Sequence, residues 1–402
     1  MGIDCGWSVA RASVITVAMR TLESGVKILL VLPRMVSGGV ERVTLNLIEQ
    51  FTQDGVECRL ALRHCRGELL DQARALVPVD ELAPRGMYQF VPALNKVIRR
   101  WQPTYIVTAF ADVATLTWAA LRLAKSRPRW IHGVHNTHAS VIARPGVWGG
   151  LRYRIDNKLA GFVYRHADAI VAVSEGVRME VLDQFRVDPA RVTTIYNPVV
   201  PDAALRAVLE PRHPADQNFR IVAVGRLSRQ KGFDVLIQAM SRVPMPWRLD
   251  IWGEGPERPQ LQQLISKLGL DPAIHLRGYT PDPFGVLREA DLFVLPSRYE
   301  GLGNTLIEAL TCQCQIVATD CPHGPREILQ GGELGQLVRP GNPDALAGAI
   351  RKVMTGQCRI DPLRLLTRAK DFSWHAAYGR WREVLQGDDG CGVVTFSRGG
   401  RG

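Results

Sequence analysis

Short apolar runs alternate with helical stretches along this chain, and the whole pattern occurs twice. KILLVLP (27–33) is an apolar run that ends at a glycine-containing turn, and the apolar residues after the turn recur at helical spacing. After a polar, proline-rich stretch the pattern restarts with FRIVAVGRL (219–227) and further apolar runs at regular spacing. Buried parallel strands are continuous apolar runs, and strands that alternate with helices form α/β folds. The sequence therefore predicts two doubly wound, Rossmann-like α/β domains.

The restart also sets the expected domain boundaries. A chain of 402 residues is long enough for two or three domains. Two such sheets that face each other leave a cleft between the carboxyl ends of their strands, where ligands of these sheets bind. In chain order we expect a disordered extension (1–25), an N-terminal domain (26–200), a linker (201–217), a C-terminal domain (218–371), a helix that packs back across the domains (372–387) and a disordered tail (388–402).

Two acids lie eight positions apart in PSRYEGLGNTLIEAL (296–310), around a loop with two glycines. Glu300 belongs to the loop, and Glu308 belongs to a helix that begins near Asn304. The start of that helix has free N–H groups that can bind a phosphate, and each carboxylate can accept hydrogen bonds from a vicinal diol. Either glutamate alone would more often be a solvated acid. Together they indicate a ligand that combines a diphosphate with sugar hydroxyls.

A pair of cations supports this interpretation. In GRLSRQKGFDVL, Arg226 and Lys231 flank a glycine-bearing loop between a strand and a helix. Isolated pairs of this kind are usually solvated, but backbone N–H groups and the helix dipole favour phosphate at such a loop. WGEGPER (252–258) adds a second glycine-rich turn, which alone is a weak signal. We therefore expect both cations to contact the diphosphate.

Composition excludes some classes of protein. No apolar run reaches the roughly 18 residues of a membrane span. The first twenty residues are interrupted by Asp4 and Arg11 and make a poor signal peptide. The eight cysteines show no paired CxxC spacing, which favours a reducing compartment. These features predict a cytoplasmic protein.

The positive charge is concentrated in the first half of the chain. The net charge is +11, and residues 1–195 hold 25 Lys and Arg against 17 Asp and Glu. Nucleic acid, anionic lipid, phosphorylated substrates and a solvated surface without a partner all fit such an excess. A non-enzymatic nucleic-acid-binding protein is thus one hypothesis, but no recognition motif accompanies the charge, so we expect no nucleic acid partner. In residues 143–165, aromatic side chains are mixed with Arg152 and Arg154, which favours contact with the inner face of a membrane over a merely solvated helix.

Taken in order, the motifs resemble those of retaining glycosyltransferases of family 4, which have the GT-B fold. Glu300 and Glu308, with seven residues between them, form an E-x7-E pattern, which alone is weakly specific for this family. The full set of motifs in the order of the family is strongly specific. DCPHGPREIL (320–329) is similar to the version in members that build bacterial surface polysaccharides or lipid-linked oligosaccharides. The resemblance covers roughly residues 27–385 through the Gly38-Gly39 loop, a histidine after an N-domain strand, VSEG, IYNPV, GRLSRQKG, WGEGPER and the E-x7-E pair.

The resemblance implies a role for each matching residue. Glu300 contacts the transferred sugar, and Glu308 contacts the ribose of a nucleotide-sugar donor. The family histidine matches His135 best, with His132 as its rival. Residues three apart on a strand face opposite sides, so the two histidines should not share a metal. The implied diphosphate-binding residues are Gly38, Gly39, Arg226 and Lys231, and the donor-binding loop between the two glutamates adds Gly301, Leu302, Gly303, Asn304 and Thr305.

The resemblance also implies the type of reaction. No Asp-x-Asp motif occurs, so we expect no metal and no cofactor. No acid is obviously placed as a covalent nucleophile, which favours the front-face route proposed for the family, in which the leaving diphosphate takes the proton of the acceptor. Arg226 and Lys231 would then stabilise the growing charge.

The sequence favours some substrates over others. We expect a nucleotide-sugar donor, with a UDP-sugar such as an N-acetylhexosamine favoured over GDP-mannose, and a glycan acceptor that is lipid-linked. The N-terminal domain would take the acceptor, and the protein would be peripheral at the inner face of the membrane. A nucleotide-sugar 2-epimerase on the same scaffold is the alternative enzyme, but the E-x7-E and GRLSRQKG motifs favour transfer.

Overall fold

The computed structural model describes residues 25–386 except 37, 84, 125, 136–146 and 208–217. Within the helices only the backbone is described for residues 147–154, 202, 206 and 207. Residues 1–24 of the predicted extension, residues 208–217 of the linker and the tail 388–402 lie outside the described residues.

The N-terminal domain is built on a parallel sheet of seven strands in the order β3-β2-β1-β4-β5-β6-β7. The strands are β1 (Lys27–Leu32), β2 (Glu57–Leu62), β3 (Val79–Glu81), β4 (Tyr105–Thr108), β5 (Arg129–Val134), β6 (Ala169–Ala172) and β7 (Val192–Thr194). The helices are α1 (Gly39–Gln53), α2 (Leu70–Leu76), α3 (Phe90–Trp101), α4 (Ala111–Leu123), α5 (Val147–His166), α6 (Glu175–Phe185) and α7 (Asp202–Ala207), with 3-10 turns at Met87–Gln89 and Pro189–Arg191.

The C-terminal domain is built on a parallel sheet of six strands in the order β10-β9-β8-β11-β12-β13. The strands are β8 (Phe219–Val224), β9 (Trp247–Trp252), β10 (Ile274–Gly278), β11 (Leu292–Leu295), β12 (Gln315–Thr319) and β13 (Gln336–Val338). The helices are α8 (Phe233–Met240), α9 (Arg258–Lys267), α10 (Pro283–Arg288), α11 (Asn304–Thr311), α12 (Pro325–Ile328), α13 (Pro343–Met354), α14 (Pro362–Ala369) and α15 (Trp374–Gln386), with 3-10 turns at Arg229–Lys231, Gln330–Gly332 and Lys370–Phe372. The prediction of two doubly wound α/β domains is confirmed.

Burial of both sheet faces explains the continuous apolar strands. Five consecutive residues of β1, Ile28 to Leu32, are almost fully buried, and all four residues of β11 are buried. Helices cover both faces of such a sheet, so a strand that alternated polar and apolar residues would bury unpaired polar groups.

The helix starts follow ordinary capping rules. Asp282, Asn342 and Asp361 each precede a proline at the first helical position, and each side chain accepts a hydrogen bond from a backbone N–H of its helix. Proline suits this position because its missing N–H would have had no partner there. These caps set where the helices of the second domain begin.

Strand order fixes where a ligand can bind. In the first sheet the connections turn in opposite directions on either side of the β1/β4 pair, and in the second sheet they do so around β8 and β11. In open α/β sheets the ligand crevice lies outside the carboxyl ends of the strands at such a switch point. The loops after β1, β8 and β11 carry the Gly38-Gly39 turn, the Arg226 to Lys231 segment and the Glu300 loop.

The last helix, α15, packs on the first domain although it follows the second in the chain. The ring of Tyr378 lies 5.5 Å from that of Phe51, between centroids, and Trp381 makes an edge contact with the same ring. Arg129 donates through Nη1 to the carbonyl of Val384 at 3.0 Å. Helix α15 therefore completes the outer core of the first domain.

In the described part of the chain, no helix has both the length and the apolar character needed to cross a membrane.

Candidate active site

The two domains touch at the predicted switch points. Asn197, in the segment after β7, donates through Nδ2 to Oδ1 of Asn304 at 2.9 Å. A Cβ atom added to Gly39 would lie 3.4 Å from Nδ2 of Asn304. Ser174, the N-cap of α6, donates to the carbonyl of Gly301 at 2.8 Å. The glycine turn of the first domain therefore faces the start of α11 in the second.

Lys231 and Glu300 form an ion pair in the floor of this cleft. Nζ of Lys231 lies 2.6 Å from Oε1 of Glu300, and the two side chains are 17% and 6% exposed. The hydroxyl of Ser297 donates to the same oxygen at 2.6 Å. Within the described residues Oε2 of Glu300 receives no side-chain hydrogen bond, so this oxygen is available to accept bonds from a ligand.

Two glycines let the cation lie close to the backbone. The side chain of Lys231 passes over Gly225, where an added Cβ would be 3.3 Å from Cε of the lysine. Gly253 adopts φ +140°, and a Cβ there would lie 2.0 Å from the carbonyl oxygen of Gly225. Only glycine allows this approach. The weak WGEGPER signal thus corresponds to a turn that packs directly against the loop of the two cations.

Arg226, the other predicted cation, is exposed, and its charge favours the ionised form of Glu41 in the first domain. Glu41 was not predicted. It is 6% exposed in the first turn of α1, and burial raises the pKa of its carboxyl, while Arg34 and Arg226 lower it in part. Its position directly after the Gly38-Gly39 turn is the sequence signal that could have identified it.

Glu308 lies on α11 with its carboxylate directed away from solvent. Its Oε2 atom is buried and has no hydrogen-bond partner among the described residues. Burial raises the pKa of this carboxyl to about 7, and the charges of Arg42 and Lys231 oppose that rise. A buried acceptor without a donor is unfavourable, so this site is suited to a ligand that supplies hydroxyl donors.

The start of α11 offers further unpaired groups. Gly303, the residue before the helix, adopts φ +101°, and the helix has no side-chain cap. The hydroxyl of Thr305 is buried without a partner in the described part of the structure. Leu302 is buried, and its carbonyl lies so close to Gly324 that a Cβ there would be 1.9 Å away. The loop is held in place by packing, and its helix N-terminus presents free N–H groups to an anion.

The two histidines occupy different surroundings. His132, on β5, is buried and bonds through Nδ1 to Oγ1 of Thr108 at 2.9 Å. His135, just after the strand, has a buried Nδ1 with no partner among the described residues and lines a cavity of about 30 Å³. Burial lowers the pKa of His132 to about 3 and that of His135 to about 4. His132 thus has a structural partner, whereas His135 is a neutral imidazole with a free nitrogen.

Glu327 joins the domains at a second point that the sequence reasoning missed. Its carboxylate accepts hydrogen bonds from the backbone N–H of Glu175 at 2.9 and 3.0 Å and from the hydroxyl of Tyr196 at 2.7 Å. Glu175 begins α6, so the acid of one domain binds the positive end of a helix in the other. Nε2 of His323 lies 3.1 Å from Oε2 of Glu180 across the same interface.

No group of three or more His, Cys, Asp or Glu side chains in the described residues is arranged to hold a metal ion.

Two parallel-sheet domains that face each other across a cleft, with cations, acids and a helix N-terminus at its centre, define a GT-B glycosyltransferase scaffold. The model of the domain described as Glycosyltransferase Family 4 matches residues 37–203, and the model described as Glycosyl transferases group 1 matches residues 218–356. Together the two matches cover most of the chain. The chain belongs to these glycosyltransferase families.

Individual relatives agree with this assignment. A Campylobacter jejuni N-acetylgalactosamine-N,N'-diacetylbacillosaminyl-diphospho-undecaprenol 4-alpha-N-acetylgalactosaminyltransferase is 30% identical over 200 residues, which is 50% of this chain. The match spans only 54% of that relative, about half its length. A Salmonella typhimurium lipopolysaccharide 1,6-galactosyltransferase is 26% identical over 341 residues, 80% of this chain and 88% of the relative. Among solved structures, Anabaena HepE in complex with UDP superimposes with a TM-score of 0.72 at 19% identity, over 90% of this chain and 99% of that one.

Proposed function

We propose that the protein is a retaining glycosyltransferase that moves a sugar from a nucleotide-diphosphate sugar to a glycan acceptor in the synthesis of a cell-surface polysaccharide or glycoconjugate. The observation that carries the proposal is the position of Lys231. Its ammonium binds Glu300 at 2.6 Å and lies close enough to Glu308 to affect the ionisation of that acid. A ligand that contains a sugar, a diphosphate and a ribose would contact Glu300 with its sugar hydroxyls, Lys231 with its diphosphate and Glu308 with its ribose.

The division of the site follows from chemistry. Arg226, Lys231 and the N-terminus of α11 bind the diphosphate, because all three are positive and an ester diphosphate carries two negative charges. Glu300 binds hydroxyls of the transferred sugar through its available oxygen. Glu308 binds the ribose diol, which supplies the donors that its buried oxygen lacks.

The reaction step is a front-face displacement. The bond between the anomeric carbon and the diphosphate oxygen breaks as the acceptor hydroxyl forms the new glycosidic bond on the same face, and the acceptor proton passes to the departing diphosphate oxygen. Negative charge grows on the diphosphate during this step, so fixed positive groups beside it lower the barrier. Because side chains and a helix terminus supply these charges, we propose that catalysis needs no metal or other cofactor.

A UDP-sugar is the favoured donor, with a GDP-sugar as the alternative. Anabaena HepE, which was solved in complex with UDP, has a similar fold, and this similarity supports UDP as the nucleotide of the donor. At 19% identity the similarity is one of fold. The name of the Campylobacter relative includes a diphospho-undecaprenol substrate, and this supports a lipid-linked acceptor.

The test is a screen of UDP-, GDP- and ADP-sugars in which release of the nucleoside diphosphate is measured with and without acceptor glycans. We expect release from one nucleotide class, stimulated by acceptor, with a retained anomeric configuration in the product. Epimerisation at C2 of the sugar without an acceptor would instead identify a 2-epimerase. If the protein bound DNA or RNA as tightly as any nucleotide sugar, this result would favour the nucleic-acid hypothesis.

We further propose contact with the inner face of a membrane, on the basis of the first-half charge and the basic, aromatic stretch 143–165. Residues 143–146 lie outside the described residues, and helix α5 spans Val147–His166. Co-sedimentation with phosphatidylglycerol vesicles at low and high salt tests this. We expect salt-sensitive binding that the double variant Arg152→Ala/Arg154→Ala loses; no binding at low salt would leave a soluble acceptor as the better hypothesis.

A further inference from the structure

An arginine of the first domain reaches the donor side of the cleft. Arg42 lies in the first turn of α1, three residues after Gly39. Its Nη2 atom donates to the hydroxyl of Tyr279 in the second domain at 2.7 Å, and its guanidinium carbon lies 5.9 Å from the centre of that ring. The two residues are 237 positions apart, so the contact exists only because the domains are docked.

Tyr279 is placed to receive this arginine. It follows Gly278, the last residue of β10, at the carboxyl edge of the second sheet. The N–H of Gly253 donates to the carbonyl of Gly278 at 2.7 Å, which ties the residue before Tyr279 to the glycine turn of WGEGPER. The tyrosine ring is 48% exposed. An aromatic face that is open to the cleft beside a tight turn suits the nucleoside half of a ligand.

The same arginine acts on Glu308. The guanidinium of Arg42 and the ammonium of Lys231 are the two described cations whose charge favours the ionised form of this acid. Lys231 is already bound to Glu300 at 2.6 Å. Gly39, at the start of α1, faces Asn304, at the start of α11, so the two helices that carry Arg42 and Glu308 meet at their N-terminal ends. Among the described residues no ion pair joins Arg42 to a carboxylate, whereas Lys231 is paired with Glu300.

We propose that Arg42 is a positioning residue of the donor site, which Tyr279 holds beside Glu308 so that this carboxylate is prepared to accept both ribose hydroxyls. An ionised carboxylate accepts bonds from two hydroxyls, whereas a protonated one has to direct its own proton elsewhere. The proposal rests on the proposed function, in particular on Glu308 as the ribose ligand. It adds that the first domain takes part in binding the nucleoside.

A consequence is that donor binding and domain docking depend on each other. Arg42 is beside Glu308 only when α1 faces the second domain, so opening the cleft removes a positive charge from the ribose site. By linkage, a bound nucleotide then favours the docked arrangement to the same extent.

The experiment is calorimetric binding of UDP, with GDP as second probe, from pH 6 to pH 9. The proteins are the wild type and the variants Arg42→Ala, Arg42→Lys, Tyr279→Phe, Glu308→Gln and, as a control that removes an exposed arginine of α15, Arg380→Ala. The terminal phosphate of the probe titrates near pH 6. The affinities of the different proteins are therefore compared at the same pH, at which the probe has the same charge.

For Arg42→Ala we expect binding about tenfold weaker than wild type at pH 7, with most of the loss recovered at pH 9, because Glu308 then ionises without help. Arg42→Lys should restore the wild-type pH profile, and Tyr279→Phe should show a smaller loss of the same form. Glu308→Gln should show no such pH dependence, and Arg380→Ala should match wild type.

Two results would overturn the proposal while leaving the proposed function intact. One is wild-type affinity in Arg42→Ala at every pH. The other is an equal loss at every pH, which would make Arg42 a structural or direct phosphate contact rather than a partner of Glu308. If the wild type bound neither UDP nor GDP, the proposed function itself would fail.

Discussion

Nζ of Lys231 lies 2.6 Å from Oε1 of Glu300, although the two residues are 69 positions apart and were predicted to bind different parts of the donor. Each side chain is predicted to bind the donor, and each also neutralises the charge of the other. The site of this pair is largely closed to water. Removing one partner leaves the other as an uncompensated buried charge, which is far more costly than the pair itself. Arg226 is exposed and carries no such constraint.

The two cations should therefore differ in their effect on stability. Arg226→Ala and Lys231→Ala should each lower turnover on the order of 10²–10³-fold, because each removes a charge that stabilises the departing diphosphate. Only Lys231→Ala should also destabilise the fold, by about 3 kcal/mol. Urea unfolding and steady-state kinetics on the same samples measure both quantities. Near-normal turnover in both variants would remove the diphosphate assignment.

The two glutamates should differ in binding. We expect Glu308→Gln to weaken binding of the nucleoside diphosphate more than Glu300→Gln does, whereas Glu300→Gln should lower mainly turnover. A ribose contact exists in both the ground and the transition state, while a contact to the reacting sugar changes during transfer. Calorimetry with UDP and single-turnover kinetics separate the two effects. Equal losses of affinity would argue against separate roles.

Glu308 should also make stability depend on pH. Burial raises the pKa of its carboxyl from 4.5 to about 7. The folded protein thus holds this proton more tightly than the unfolded chain, so the stabilisation is complete below about pH 4.5 and is lost as the pH rises to about 7. Glu308→Gln avoids this loss. Its free energy of unfolding at pH 8 should exceed that of the wild type by on the order of 3 kcal/mol, with little difference at pH 4.5. A less stable variant at pH 8 would contradict the sign.

Chelation should leave activity unchanged. If the diphosphate is neutralised by Arg226, Lys231 and a helix terminus, EDTA removes nothing that the reaction uses. Nucleotide release is measured before and after dialysis against the chelator, with added Mg²⁺ and Mn²⁺ as the comparison. Activity that disappears and returns with either ion would show that a metal shares this work.

The Glu327 contact should control how firmly the domains are docked. Glu327→Gln keeps the size of the side chain but removes the charge that the start of α6 stabilises, so we expect a loss of about 1–3 kcal/mol and slower turnover. Glu333→Gln is the matched control, because this exposed acid pairs with Arg364 inside the second domain at 3.3 Å. Small-angle scattering should report a more extended particle for Glu327→Gln alone. An unchanged profile with normal turnover would mean that the contact is incidental.

The sequence predicted nine of the strands but missed β2, β3, β7 and β13. The strands β3, β7 and β13 have three residues each and lie at the edges of their sheets, and β2 carries Glu57 and Arg59 and is not a continuous apolar run. An edge strand this short has no periodic signal to detect.

The motifs of the candidate site were visible for a related reason. Glycines, cations and acids that serve one loop are close in sequence, so their spacing carries the signal, as in the segment from Glu300 to Glu308. Contacts across the cleft have no such spacing. Arg42 and Tyr279 are 237 positions apart and meet only where the two sheets are docked, so no spacing in the sequence links them. Asn197 is intermediate, because it lies within the recognised IYNPV motif although its partner, Asn304, could not be predicted.

Helix α15 determines when the first domain can be finished during synthesis. Tyr378 and Trp381, which cover Phe51, are the last aromatic side chains of its core to leave the ribosome, after the entire second domain. A fragment that stops near residue 200 would present the apolar surface around Phe51 to water and to other nascent chains. The second domain, in contrast, has one core cluster that consists only of its own residues, from Phe219 onward. The first domain can therefore be completed only after α15 has been translated. A truncated product would be recognised as defective by its exposed apolar core and not by its missing active site.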